Sequence, residues 1–117
     1  MIDRSALLSA IERLAAAMER EASALNEIDG ALGDGDLGIT MTRGMQAVTA
    51  GAREMPADLG QALLRCAQAF TKTSGSSYGT LFATGLMAGA KALKGRESVE
   101  AAEVSGLIAA ARDAMQA

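Results

Sequence analysis

Ten consecutive residues, Asp29-Gly-Ala-Leu-Gly-Asp-Gly-Asp-Leu-Gly38, contain four glycines and three aspartates. Glycine loses more backbone freedom on folding than any other residue, so this run reads as a loop and not as regular helix. Helical patterns flank it on both sides. From about Asp3 to Asn26, the residues Leu7, Ile11, Leu14, Met18, Ala22 and Leu25 recur in steps of three and four, the signature of an amphipathic helix. Asp3 or Ser5 is placed to cap its first turn. A second helix is expected from Leu37–Thr40 to about Ala52, with Met41, Met45 and Val48 on its apolar face. The chain is thereby constrained to helix, glycine-aspartate loop, helix.

The rest repeats the theme. Pro56 and Asp58 suit the opening of a third helix, whose stripe is Leu59, Leu63, Cys66, Ala67 and Phe70. The hydroxyl-rich segment Thr71-Lys-Thr-Ser-Gly-Ser-Ser-Tyr-Gly79 reads as a second loop. A fourth helix follows from about Tyr78 to Leu93. Its Gly85 and Gly89, four residues apart, mark close approach of another helix or of a ligand, and packing is the simpler reading. Ser98 is placed to cap a fifth helix with Val104, Ile108, Ala111 and Met115 on its stripe. Aromatic residues make up 3% of the chain and proline occurs once, so no convincing strand is expected. The expected fold is all-α, one domain over residues 1–117 with about five helices.

Composition excludes several chemistries. Without histidine and with Cys66 as the single cysteine, the chain alone cannot build a Ser-His-Asp site, a disulfide or a thiolate metal cluster. Cys66 lies among apolar residues and reads as a buried, inert thiol, consistent with a reducing cytoplasm. A net charge of −3 supplies no basic face for nucleic acid. There is no signal-peptide pattern at the N-terminus. No uninterrupted apolar run reaches the ~20 residues of a membrane span.

The acidic excess is concentrated toward the first loop. Up to Asp36 there are eight acids against three bases, and afterwards six against eight. Asp29, Asp34 and Asp36 repel one another unless a cation neutralises them, and hard oxygen ligands suit magnesium or calcium. An EF-hand register fails from either Asp34 or Asp29, because the required positions fall on Gly38 and Met45, or on Ala31 and Gly33. Gly33, Gly35 and Gly38 match G-x-G-x-x-G, but a helix precedes them where a dinucleotide fold needs a strand. No Walker-type phosphate loop is present. The competing reading is that the aspartates are ordinary turn and cap residues. Thr73, Ser74 and Gly75, just before a helix start, offer hydroxyls and backbone N–H groups to an anion.

The two loops together resemble the nucleotide-binding L-type domain of dihydroxyacetone kinases. The first match is Leu25-Asn-Glu-Ile-Asp29-Gly-Ala-Leu-Gly-Asp34-Gly-Asp36-Leu-Gly38-Ile-Thr40-Met, ending in Arg43-Gly44; the second is Thr73-Ser74-Gly75-Ser-Ser-Tyr78-Gly79-Thr80. The family pattern differs at Leu37, often histidine, at Lys72 and Thr73, usually small, and at Ser76, usually proline. The resemblance implies an antiparallel helical barrel, present here in part and incomplete at the C-terminus, since the family domain is close to twice this length. It implies that Asp29, Asp34 and Asp36 hold two magnesium ions against the phosphates of ADP or ATP. Leu37, Gly38, Ile39 and Thr40 would line the nucleotide, and Thr73, Ser74 and Gly75 would meet its phosphates or ribose. No catalytic side chain is assigned. The implied partners are a K-type ketose-binding subunit and, where ADP stays bound, a phosphotransferase-system donor protein; self-association is a further expectation. Two alternatives remain open: a non-catalytic helical module, and a kinase component for another acceptor such as a fatty acid.

Overall fold

A computed structural model describes residues 1–32, 35–73 and 77–116. Five helices carry the fold: α1 (Arg4–Leu32), α2 (Leu37–Ala50), α3 (Leu59–Thr73), α4 (Ser77–Ala92) and α5 (Val104–Gln116). Two short strands, β1 (Ile2–Asp3) and β2 (Ser98–Val99), pair antiparallel in the register Ile2 with Val99 and Asp3 with Ser98. Single 3-10 turns occupy Ala52–Glu54 and Ala101–Glu103. The fold is all-α.

Neighbouring helices pack in chain order: α1 on α2, α2 on α3, α3 on α4, α4 on α5. Successive helices run antiparallel. The Gly38 backbone abuts that of Ala22, and the Thr42 hydroxyl donates to the Met18 carbonyl at 3.5 Å, so α2 descends as α1 ascends. Similarly Gly60 of α3 meets Ala90 and Lys94, while Phe70 meets Phe82 with ring centroids 4.8 Å apart. The end of α1, the start of α2, the end of α3 and the start of α4 therefore share one end of the layer.

The core sits around α3, the middle helix. Leu59, Cys66, Ala67 and Phe70 of the expected stripe are buried there, joined by Gly60 and Ala62, while Leu63 is half-buried. Phe70 is wholly enclosed, and burying such a side chain contributes roughly 1.5–3 kcal/mol. Ile11, Met45, Val48, Met55 and Ala83 complete this cluster. Burial also raises the Cys66 thiol to about 11, so it stays protonated near neutral pH, as expected of an inert core cysteine. A second small cluster joins Leu59, Leu93 and Val99. The edge helix α5 has no fully buried residue among those described.

The element ends show how local signals and long-range contacts divide the work. Asp3 caps α1 through its Oδ1, which accepts from Ala6 N–H at 3.1 Å. Asp58 caps α3 in the same way, accepting from Gln61 N–H at 3.0 Å. Arg4 at the base of α1 donates to the carbonyls of Met55 and Arg53 at 2.6 and 2.8 Å, tying it to the segment after α2. Ser98, expected to cap α5, instead lies in β2, and α5 begins later, at Val104. The pull is long-range: Val99 is buried against Ile2 and the Leu59 cluster. Glu100 is the N-cap of the 3-10 turn that leads into α5, and the Glu103 side chain accepts from Glu100 N–H at 3.2 Å. Gly85 and Gly89 prove to be packing positions, facing Met115 of α5 and Leu63 of α3 respectively.

Candidate functional site: the turn between α1 and α2

The first helix does not stop at Asn26. It continues through Asp29 and Gly30 to Leu32, so Asp29 belongs to its last turns and not to the loop. Gly30 in a helix costs roughly 1 kcal/mol against alanine. The extension is offset by what it positions. Asn26 and Asp29 lie three residues apart, on one face of α1, and both point at the start of α2. Asp29 Oδ2 accepts from the N–H groups of Gly35, Asp36 and Leu37 at 3.0, 3.0 and 3.2 Å. Asn26 Oδ1 accepts from Gly38 and Ile39 at 2.7 and 3.3 Å. The first N–H groups of a helix have no intrahelical acceptor, and here the preceding helix supplies one for each. Asp29 is only 7% exposed. Its charge is balanced by these donors and by the positive end of the α2 dipole.

Gly35 makes the tight return possible. Its φ is +77°, a conformation glycine adopts without strain. Gly38 then permits the close approach, because a Cβ there would lie 2.0 Å from the Ala22 carbonyl oxygen.

Asp36 behaves differently from Asp29. It occupies the N-cap position of α2 with φ −115° and ψ 8°, yet its side chain makes no cap hydrogen bond. Its backbone carbonyl accepts from Thr40 N–H at 2.9 Å. The residue is half-buried, and its carboxylate carries no hydrogen bond or ion pair among the described residues. Asp34 lies outside the described residues, as do Ser74 and Gly75. Among the described residues, no three His, Cys, Asp or Glu side chains gather into a metal-sized cluster. The structure thus places Asp29 and Asp36 at one turn.

The expected nucleotide-lining residues fall into two groups. Gly38 and Thr40 are buried, with Gly38 pressed on α1, whereas Ile39 is 45% exposed at the surface of the turn. Thr73 is the last residue of α3, and its hydroxyl donates to the carbonyls of Ala69 and Phe70, both at 3.2 Å. Asn26 is the residue that sequence reasoning missed. Its signal was its position three residues before Asp29 on the same helical face.

An apolar cavity of 130 Å³ lies between α1, α2, α3 and α4, lined by residues such as Leu14, Val48, Phe70 and Leu86. It offers no polar group to a phosphate, so the chemistry belongs to the turn.

Fold and turn define a class: an all-helical domain whose chemically unusual segment is a glycine- and aspartate-rich helix start. The model of the DAK2 domain matches residues 31–117, and the chain belongs to that family, which places it with the dihydroxyacetone kinases. The matched region includes Asp34 and Asp36; Asn26 and Asp29 precede it. No curated protein and no solved structure matches the chain.

Proposed function

We propose that this chain is the magnesium-dependent, ADP- or ATP-binding L-type component of a cytoplasmic short-ketose kinase. Its ketose is held by a K-type partner, and its phosphoryl group comes from ATP or from a phosphotransferase-system protein. Family membership supports the kinase class. The observation that carries the finer reading is Asp36 at the N-terminus of α2: its backbone N–H donates to Asp29, while its carboxylate makes no hydrogen bond or ion pair among the described residues. A carboxylate beside a helix N-terminus suits a cation that bridges protein oxygen to phosphate. The donors fit magnesium: hard oxygens of Asp29 and Asp36, joined by Asp34 on this reading. Asp29 Oδ1 lies outside the three hydrogen bonds made by Oδ2. Bound magnesium would neutralise phosphate charge during transfer, the main requirement of such chemistry. Ile39 would meet the nucleotide directly, with Leu37, Gly38 and Thr40 shaping the turn and Thr73, Ser74 and Gly75 approaching from the α3–α4 connection.

Calorimetric titration of ADP with and without magnesium tests this. Binding that requires magnesium and disappears in Asp36→Asn is expected, with an unchanged thermal melt, because that side chain bonds to nothing among the described residues. Affinity indifferent to both changes would sink the reading. One observation favours a second reading, a non-catalytic helical module: capping alone accounts for the burial of Asp29. That module would give no phosphoryl transfer when a K-type partner, ketose and MgATP are supplied together.

A further inference from the structure

The outer face between α3 and α4 carries a groove that the turn chemistry does not use. Two stretches of it, of 310 and 520 Å³, meet at Leu64 and Met87. These two side chains are 38% and 49% exposed and form an apolar floor. Ala67 and Ala90, small residues on either side, keep the groove open along the two helices.

The charged residues of the lining are all lysines: Lys72, Lys91 and Lys94. Because α3 and α4 are antiparallel, Lys72 stands at one end and Lys91 with Lys94 at the other. All three are exposed. The two ion pairs among the described residues are Arg96–Glu103 and Arg112–Asp113, and neither involves these lysines. Asp58, at the foot of α3, accepts from Gln61 N–H with one oxygen and from Gly95 N–H with the other. This local charge is opposite to the chain's net −3.

We propose that the α3–α4 groove docks an acidic amphipathic helix of a partner protein. Gly60 to Lys72 spans about 18 Å along α3, room for about three turns of a helix. Such a helix would seat apolar residues at i, i+3 or i+4, and i+7 on Leu64 and Met87, the usual pattern of a helix in a groove. Its acidic residues would meet the lysines at both ends. Lysine stems lie along apolar surface while the ammonium reaches out, which suits a rim of this kind. A concave floor with two apolar side chains fits a helix better than a flat bilayer. It also lacks the aromatic residues on which nucleic-acid bases stack. This site is independent of the nucleotide reading.

The test is selection of a displayed library of random helical peptides on the full chain, with sequencing of the winners. Enrichment of acidic peptides with apolar residues at the stated spacing is expected. Their affinity should fall about tenfold in Lys91→Glu/Lys94→Glu, since two ion pairs become repulsive, and should weaken with salt. Leu64→Ala/Met87→Ala should also weaken binding. All four positions are exposed, and unchanged circular dichroism melts would confirm that the variants fold. The proposal is overturned if no acidic peptides are enriched, if basic ones win, or if either double variant binds the winners unchanged. Binding of phosphatidylserine vesicles that is lost in the lysine variant, with no peptide selected, would overturn it in favour of a membrane surface.

Discussion

Two carboxylates hold chain segments together in this protein, and they do so in opposite settings. Asp29, almost enclosed, gathers three backbone N–H groups at the start of α2. Glu103, well exposed, grips Arg96 with both oxygens at 2.6 and 2.9 Å and reaches back to Glu100 N–H. On a list of contacts they look alike. Physically they differ, because water replaces the partners of Glu103 readily, whereas Asp29 is buried and its half-buried donors are less open to solvent. An unmade hydrogen bond costs most where solvent is excluded. The α1–α2 turn should therefore depend on its exact residues, and the Arg96–Glu103 clamp should be nearly dispensable.

The sharpest way to break that contrast is Gly38→Ala. The added methyl would need to occupy the position of the Ala22 carbonyl, and backbone cannot give way as a flexible side chain can. Overpacking in a filled site costs about 1–3 kcal/mol, and a clash with backbone belongs at the top of that range or above it. Denaturant titration should show a much lower midpoint. A midpoint close to wild type would mean that α1 and α2 are not held at this distance.

Asp29→Ala comes next. It leaves the N–H groups of Gly35, Asp36 and Leu37 without their acceptor, a loss of about 1–3 kcal/mol. Asp29→Asn keeps an oxygen there and should recover part of the stability. Comparing the two by thermal melts separates capping from metal binding. If Asp29→Asn melts near wild type yet loses magnesium-dependent ADP binding, its charge serves the cation and its oxygen serves the helix. Asn26→Ala should cost less, since Asn26 is neutral and serves two donors, one of them at 3.3 Å.

The sequence made the five helices legible because each apolar stripe is a local signal. α2 and α4 start and end within about two residues of the expected positions, and Cys66 and Phe70 fall on the buried face of α3 as the stripe requires. The C-terminal end of α1 and the start of α5 were not legible. Glycine content argued for a loop from Asp29, but α1 continues because Asn26 and Asp29 meet donors on the next helix. Ser98 had the chemistry of a cap, but pairing with Asp3, most of the chain away, drew it into a strand. The Ser98 outcome depends on a contact that no window of neighbouring residues contains; the Asp29 outcome depends on side-chain bonds across the turn that glycine content does not announce. At the turn, residue type pointed to Asp29 and Asp36. That one is sealed by backbone donors and the other is not could be known only from the fold.

The smallest expected effect belongs to Glu103. Its hydrogen bonds to Arg96 and Glu100 lower its folded-state value from 4.5 to about 2. The group stays ionised in the folded protein at pH values where the unfolded chain has already taken up a proton. Its contribution to stability is thus present above about pH 4.5, the unfolded value, and is lost as pH falls toward about 2. Because both partners are exposed, the contribution should be small and should shrink with added salt. Melts of wild type and Glu103→Gln, compared from pH 7 downward, should converge below pH 4.5. A gap that persists at low pH, or that resists high salt, would show that this clamp is shielded from water like Asp29, and the contrast between the two carboxylates would fail.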